Sequence, residues 1–344
     1  MSEFTPIASD DELDEVMTRP RPVLVEFMHI IQCPLIILGA GGKMGPTLAL
    51  LARRAADAAG KQLDILAVSR YQNAESRRWL EERGIRTLSL DLLEQSSYRE
   101  LPDTENLLYL VGLKFGTMDN PAVTWATNTL APVFTCERYP HARFAALSTG
   151  NVYPLTSVHG TGSAETDPLE PLGEYSNACV ARERIFDYYS QKNGTTIALL
   201  RLSYAVDLRY GVLFDIGSRV YRGDTIDLSS GYYNCIWQGD ANEMIIRSLG
   251  LASSPGYPLN LTGPTWYTVR ETARQFAAIF NKPVHFSGEE TESAFLSNTR
   301  RLLSALGEPP TPLDWMVRWT AGWIESGGRS LNKPTHFETR DGKY

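Results

Sequence analysis

The stretch Gly39-Ala40-Gly41-Gly42-Lys43-Met44-Gly45 has the glycine spacing that a phosphate-binding turn needs. Glycine permits the tight turn, lets the backbone N–H groups of Gly41, Gly42, Lys43 and Met44 approach a pyrophosphate, and lets a following helix pack close to a strand. The chemistry this implies is binding of a dinucleotide. About 25 residues on, Ser69-Arg70 stands where a carboxylate would bind the ribose hydroxyls of NAD. A hydroxyl and a guanidinium there would bind a 2′-phosphate, so the pair favours NADP over NAD. Asp91, followed by Leu92, follows a third strand signal and is positioned to accept from an adenine amino group. The five histidines (His29, His141, His159, His285 and His336) form no HxH or HExxH pattern, so no metal site is expected.

The elements that must position these residues are legible as alternation. Apolar strands are predicted at 34–38, 63–69, 86–92, 106–112, 143–149 and 195–201, with a helix at 44–59 and further helical patterns between the later strands. Continuous apolar strands alternating with helices predict an α/β fold, a doubly wound parallel (Rossmann) sheet buried on both faces. The reading divides the chain into a helical extension (1–32), a cofactor-binding domain (33–203), a smaller mixed lobe for substrate interleaved with it (204–330), and a tail (331–344) read as an extended surface segment. Helices are predicted near 240–252, 268–280 and 312–326 in the lobe.

With 344 residues, 40 acidic against 33 basic side chains and a net charge of −7, the chain can bury a full core and lacks the basic stripe of a nucleic-acid or anionic-membrane binder. The acidic start shows no leader pattern, and the four dispersed cysteines (Cys33, Cys136, Cys179 and Cys235) read as buried thiols. A cytoplasmic protein binding a small molecule is expected, with neither nucleic acid nor membrane as partner.

In this order the motifs resemble an extended short-chain dehydrogenase/reductase of the NAD-dependent epimerase/dehydratase group, over about residues 33–330. The resemblance rests on Gly39, Gly42 and Gly45, on Val111-Gly112-Leu113-Lys114, on Asn128, on Ser148-Thr149-Gly150-Asn151-Val152-Tyr153, and on the acidic, proline-containing loop with Glu165, Asp167, Pro168 and Pro171. It implies that Tyr175 is the acid/base and that Thr149 holds the substrate oxygen, with Gly150 and Asn151 beside it. It also implies that Val111, Gly112, Asn128, Tyr175 and Cys179 bind the cofactor, NADP or NAD, and that the helices near 121–138 and 175–191 form a homodimer.

Two departures matter. The family's Tyr-x-x-x-Lys reads Tyr175-Ser176-Asn177-Ala178-Cys179, so the lysine that lowers the phenol pKa is missing. Unaided tyrosine is only about 0.1 % phenolate at pH 7. Lys114 or the oxidised nicotinamide could supply the charge, the chemistry could need no strong base, or the site could bind cofactor without turnover. The family's arginine for a nucleotide diphosphate aligns with Tyr233, and its Arg-x-x-Asn becomes Arg201-Leu202-Ser203-Tyr204. Aromatic residues at 204 and 233 suggest a less anionic substrate: a free sugar, sugar acid or glycoside. Two functions follow: an oxidoreductase or epimerase of a sugar-like alcohol, or a cofactor-binding sensor or scaffold.

Overall fold

The computed structural model describes residues 4–72, 74–114, 120–333 and 335–343. The chain opens with α1 (Asp10–Thr18) and α2 (Pro22–Phe27), and then alternates through β1 (Leu35–Leu38), α3 (Gly45–Ala58), β2 (Ile65–Ser69), α4 (Ala74–Glu81), β3 (Arg86–Ser89) and β4 (Asn106–Tyr109). It continues with α5 (Pro121–Arg138), β5 (Arg143–Thr149), α6 (Gly173–Asn193) and β6 (Thr196–Leu202). The lobe segment supplies α7 (Val212–Arg222), α8 (Gln238–Arg247), β7 (Tyr257–Leu261), α9 (Val269–Phe280), α10 (Arg300–Leu306) and α11 (Leu313–Glu325), with several two- and three-residue strand pairs.

Seven parallel strands form the central sheet in the order β7-β6-β5-β4-β1-β2-β3. The apolar run Leu35-Ile36-Ile37-Leu38 is wholly buried because β1 is central and covered on both faces. The order of connection reverses between β1 and β4, and the crevice beyond their carboxyl ends is where ligands of open α/β sheets bind.

Side chains of α3 and α8 pack on one face of the sheet, and those of α5 and α6 on the other. A separate core under the lobe is built from α7, α9 and α11, with Trp237, Tyr233 and Phe276 among its largest members. The N-terminal helices tie the two together: Leu13 and Met17 of α1 enter the lobe core, whereas Leu24 of α2 enters the sheet core. Arg209, paired with Asp207, Asp10 and Asp14, fixes α1 electrostatically.

Two expectations need correction. The tail is not a surface segment: Phe337 is buried in the lobe core, and Thr335 donates through its backbone N–H to Asp215 at 2.9 Å. Cys33 is exposed, and only the other three cysteines are buried. The edge strand β7 of the sheet comes from the segment read as the interleaved lobe. Among the described residues no helix is long and apolar enough to cross a membrane.

Candidate functional site

The glycine loop leaves β1 and turns into α3 at the topological switch point. Gly39 has φ +84°, and a β-carbon there would lie 2.8 Å from the backbone of Leu110 and Val111. At Gly45 it would lie 2.2 Å from the carbonyl oxygen of Ala40, so glycine is what lets α3 approach the loop. Gly42 is different: its nearest neighbour would be 3.4 Å away, and the open face points into the crevice. Lys43, Met44 and Gly45, at the N-terminus of α3, line the same space, and the positive end of a helix is a favourable setting for a phosphate.

Two cavities meet over Gly39, Gly42, Leu110 and Gly112. One, of about 440 Å³, is lined by Ser69, Arg70 and Asp91, the residues expected at the adenosine half of a dinucleotide, and by Gly41, Leu92 and Val111. The other, of about 260 Å³, is lined by Lys43, Met44, Gly45, Lys114, Thr149, Tyr175 and Tyr204. The loop thus joins two chambers, one beside β2 and β3 and the other beside β5 and α6, as a two-part cofactor would require. These residues fit a dinucleotide, with backbone amides at the centre and no carboxylate at the carboxyl end of β2.

In the second chamber Tyr175 lies beside Thr149 and packs against Cys179. Burial pushes the Tyr175 phenol well above the usual tyrosine range, and burial also raises the Cys179 thiol. Lys114 is half-buried, and burial lowers its ammonium to about 8. Lys43 donates to the carbonyl oxygen of Ala205 at 2.8 Å and sits 4.0 Å over the ring of Tyr210, with burial lowering it to about 7. No Asp or Glu lines this chamber among the described residues.

Other expected residues lie behind the walls. Asn128 and Cys179 are fully buried, and both receive hydrogen bonds from Arg182, at 2.9 Å and 3.3 Å. Gly150 packs against Ser203, and the Asn151 N–H donates to Thr149 Oγ1 at 3.2 Å, so both shape the end of β5 without lining the chamber. Tyr233 is placed elsewhere: it is 1 % exposed in the lobe core, with its hydroxyl 2.7 Å from that of Thr272. Arg201 likewise turns inward, forming a buried ion pair with Glu183 at 2.8 Å and donating to the Tyr153 hydroxyl at 2.6 Å.

Sequence reasoning missed four residues. Tyr210 and Thr335 line the second chamber, and Lys333 lines the first beside Arg70. Arg182, 3 % exposed, lies on the inner face of α6 at i+7 from Tyr175, a helical spacing that could have exposed it. The tail residues carried no periodic signal. The tail continues to the start of α6, where Gly342 packs against Leu172 and Gly173.

The parallel sheet, the glycine turn at its switch point and the Thr149–Tyr175 pair define a Rossmann-type protein of the extended short-chain dehydrogenase/reductase class. The chain belongs to the NAD dependent epimerase/dehydratase family, whose model matches residues 35–206. No curated protein matches its sequence. Among solved structures, it is similar to a dTDP-glucose 4,6-dehydratase from Bacillus anthracis str. Ames in complex with NAD (14 % identity, TM-score 0.72, 86 % of this chain and 97 % of that one). It is also similar to a UDP-glucose 4-epimerase from Thermus thermophilus in complex with NAD (17 % identity, TM-score 0.67, 85 % and 99 %). A third is the UDP-glucose 4-epimerase of Thermotoga maritima with UDP-glucose (15 % identity, TM-score 0.68, 86 % and 99 %). At these identities the likeness is one of fold.

Proposed function

We propose that the protein is an NAD(P)-dependent enzyme that oxidises or epimerises a sugar-like alcohol. The observation that carries this reading is that Thr149, Tyr175 and Lys114 line one chamber that joins the glycine loop. When bound, the nicotinamide accepts or returns a hydride. Thr149 and Tyr175 together hold the reacting oxygen, and Tyr175 exchanges a proton with it. Because burial keeps the Tyr175 phenol protonated at neutral pH, the resting residue is poised as a proton donor, and it needs nearby positive charge to act as a base. Lys114 contributes charge from the chamber side.

Lys114, with no carboxylate in the described lining, favours a sugar acid over a neutral sugar or glycoside. Tyr204 supplies an aromatic wall for a pyranose-like ring. Exposed Arg70 at the end of β2 favours NADP over NAD. Exposed Val123, Trp125 and Leu130 on α5 and Tyr188 on α6 support a homodimer built on these helices.

The raised Tyr175 phenol and the missing lysine also favour a second reading, in which the protein binds cofactor as a sensor or scaffold without turnover. A screen of sugars, sugar acids and polyols with NADP and NAD, read by nicotinamide absorbance, separates the two. Substrate-dependent reduction supports the enzyme. Tight cofactor binding with no absorbance change across all classes supports the sensor.

A further inference from the structure

We propose that Arg182 is the positioning residue that supplies Tyr175 with a permanent positive charge, from behind the Cys179 thiol, in place of the lysine absent at position 179. The inference rests on the reading of Tyr175 as the acid/base. Tyr175, Cys179 and Arg182 follow one another on the inner face of α6 at spacings of four and three residues. Arg182 Nη2 donates to Cys179 Sγ at 3.3 Å, and Cys179 packs against Tyr175 one helical turn earlier. Arg182 Nη1 donates to the carbonyl oxygen of Val111 at 3.0 Å and to Asn128 Oδ1 at 2.9 Å, which fixes the guanidinium plane against the end of β4. Gly112 makes room for it, since a β-carbon there would lie 2.8 Å from Nη1.

The charge is anchored by neutral groups only. Among the described residues no carboxylate forms an ion pair with Arg182, and its Nε has no hydrogen-bond partner. Glu183, next in sequence, is committed to Arg201 and Ser148. A buried cation without a counter-ion is costly, and the arrangement is relieved when a facing group becomes anionic. The groups able to do so are the Cys179 thiol and the Tyr175 phenol on α6 and the buried Tyr109 phenol on β4. Glu183 bears on the cluster from α6, and Lys114 from the loop after β4. Of the two α6 groups, Tyr175 alone reaches the chamber. Arg182 thereby favours its phenolate from behind the wall, as a lysine at position 179 would from inside it.

The test reads Tyr175 rather than turnover, so its failure is distinct from failure of the enzymatic reading. Tyrosine labelled with carbon-13 at the hydroxyl-bearing ring carbon is followed by NMR in the NADP+-bound protein up to about pH 11, with Tyr175→Phe assigning the signal. Arg182→Met should raise the Tyr175 midpoint by at least about one pH unit, a tenfold loss of phenolate, whereas Arg182→Lys should keep it within about half a unit. Should Arg182→Met not fold, position 179 gives an independent reading. Cys179→Lys alone sets two buried cations together and should lower Tm sharply, the neutral Cys179→Met should not, and Cys179→Lys combined with Arg182→Met should regain both stability and the wild-type midpoint. An unchanged midpoint in Arg182→Met, no Tyr175 ionisation in the wild type over the range, or Cys179→Lys tolerated as well as Cys179→Met beside an intact Arg182 would each overturn the proposal.

Discussion

Binding of the cofactor should draw a proton onto Lys43. The side chain lies in the glycine loop, and burial lowers its ammonium from an ordinary value of 10.5 to about 7. At pH 8 only about a tenth of the unliganded protein carries that charge. A pyrophosphate on the loop restores the preference for the ammonium, because an opposite charge within a few ångströms offsets the desolvation that lowered it. With the bound value back near its ordinary level, uptake at pH 8 is about 0.9 proton per cofactor. The sign follows from linkage: the liganded state binds the extra proton, so affinity is greatest at low pH and falls as pH rises above about 7. Between pH 7 and 9 the same two values give a loss of about 50-fold. Calorimetric titration of NADP+ in buffers of different ionisation enthalpy measures the proton count, and Lys43→Met isolates the lysine. Uptake should fall by about 0.9 proton in the variant, with the pH dependence of Kd flattened. Equal uptake in wild type and Lys43→Met would refute the assignment of Lys43 to the cofactor phosphates.

Further outcomes are checked more simply. Arg70→Ala should weaken NADP+ about tenfold, close to 1.4 kcal/mol, while leaving NAD+ nearly unchanged, as fluorescence titration of both cofactors would report. Phe337→Ala empties a buried position in the lobe core and should cost about 3 kcal/mol in denaturant unfolding. Because the same tail carries Lys333 and Thr335 to the two chambers, that variant should also release NADPH faster in stopped-flow displacement; an unchanged rate would separate the tail from the site. Leu130→Glu on the exposed face of α5 should convert a homodimer to monomers in light scattering, with the helical circular dichroism retained.

Much of the cofactor half was legible because its signals are local. The run Leu35-Ile36-Ile37-Leu38 can only be a doubly covered strand, and glycine at 39 and 45 is demanded by backbone approach within the same loop. The substrate half depends on packing between distant segments, which spacing does not report. Tyr233 aligns with a ligand-binding position, yet the lobe core absorbs it through Thr272. The edge strand β7 carries Pro258, which weakens a strand signal, and an edge tolerates it because one side of the strand pairs with nothing. The tail is polar and aperiodic, and it is held by scattered contacts to distant segments: Thr335 on Asp215, Arg340 on the carbonyl oxygens of Ser229 and Ser293, and Phe337 in the core. Arg182 reads in sequence as one more charge on a helix of alternating charges, and its meaning comes from Cys179, Asn128 and Val111 converging on it.

The central claim is that Tyr175 moves a proton to or from a sugar-like alcohol while hydride passes to the nicotinamide. Its most direct test compares wild type and Tyr175→Phe, with the best substrate of the screen and saturating cofactor, in a single-turnover absorbance measurement. The account predicts that Tyr175→Phe binds NADP+ as tightly as wild type but loses at least a hundredfold in the rate of nicotinamide reduction, in line with the ~10²–10⁴ that a positioned acid/base contributes. A Tyr175→Phe protein that reduces the cofactor at the wild-type rate would contradict it.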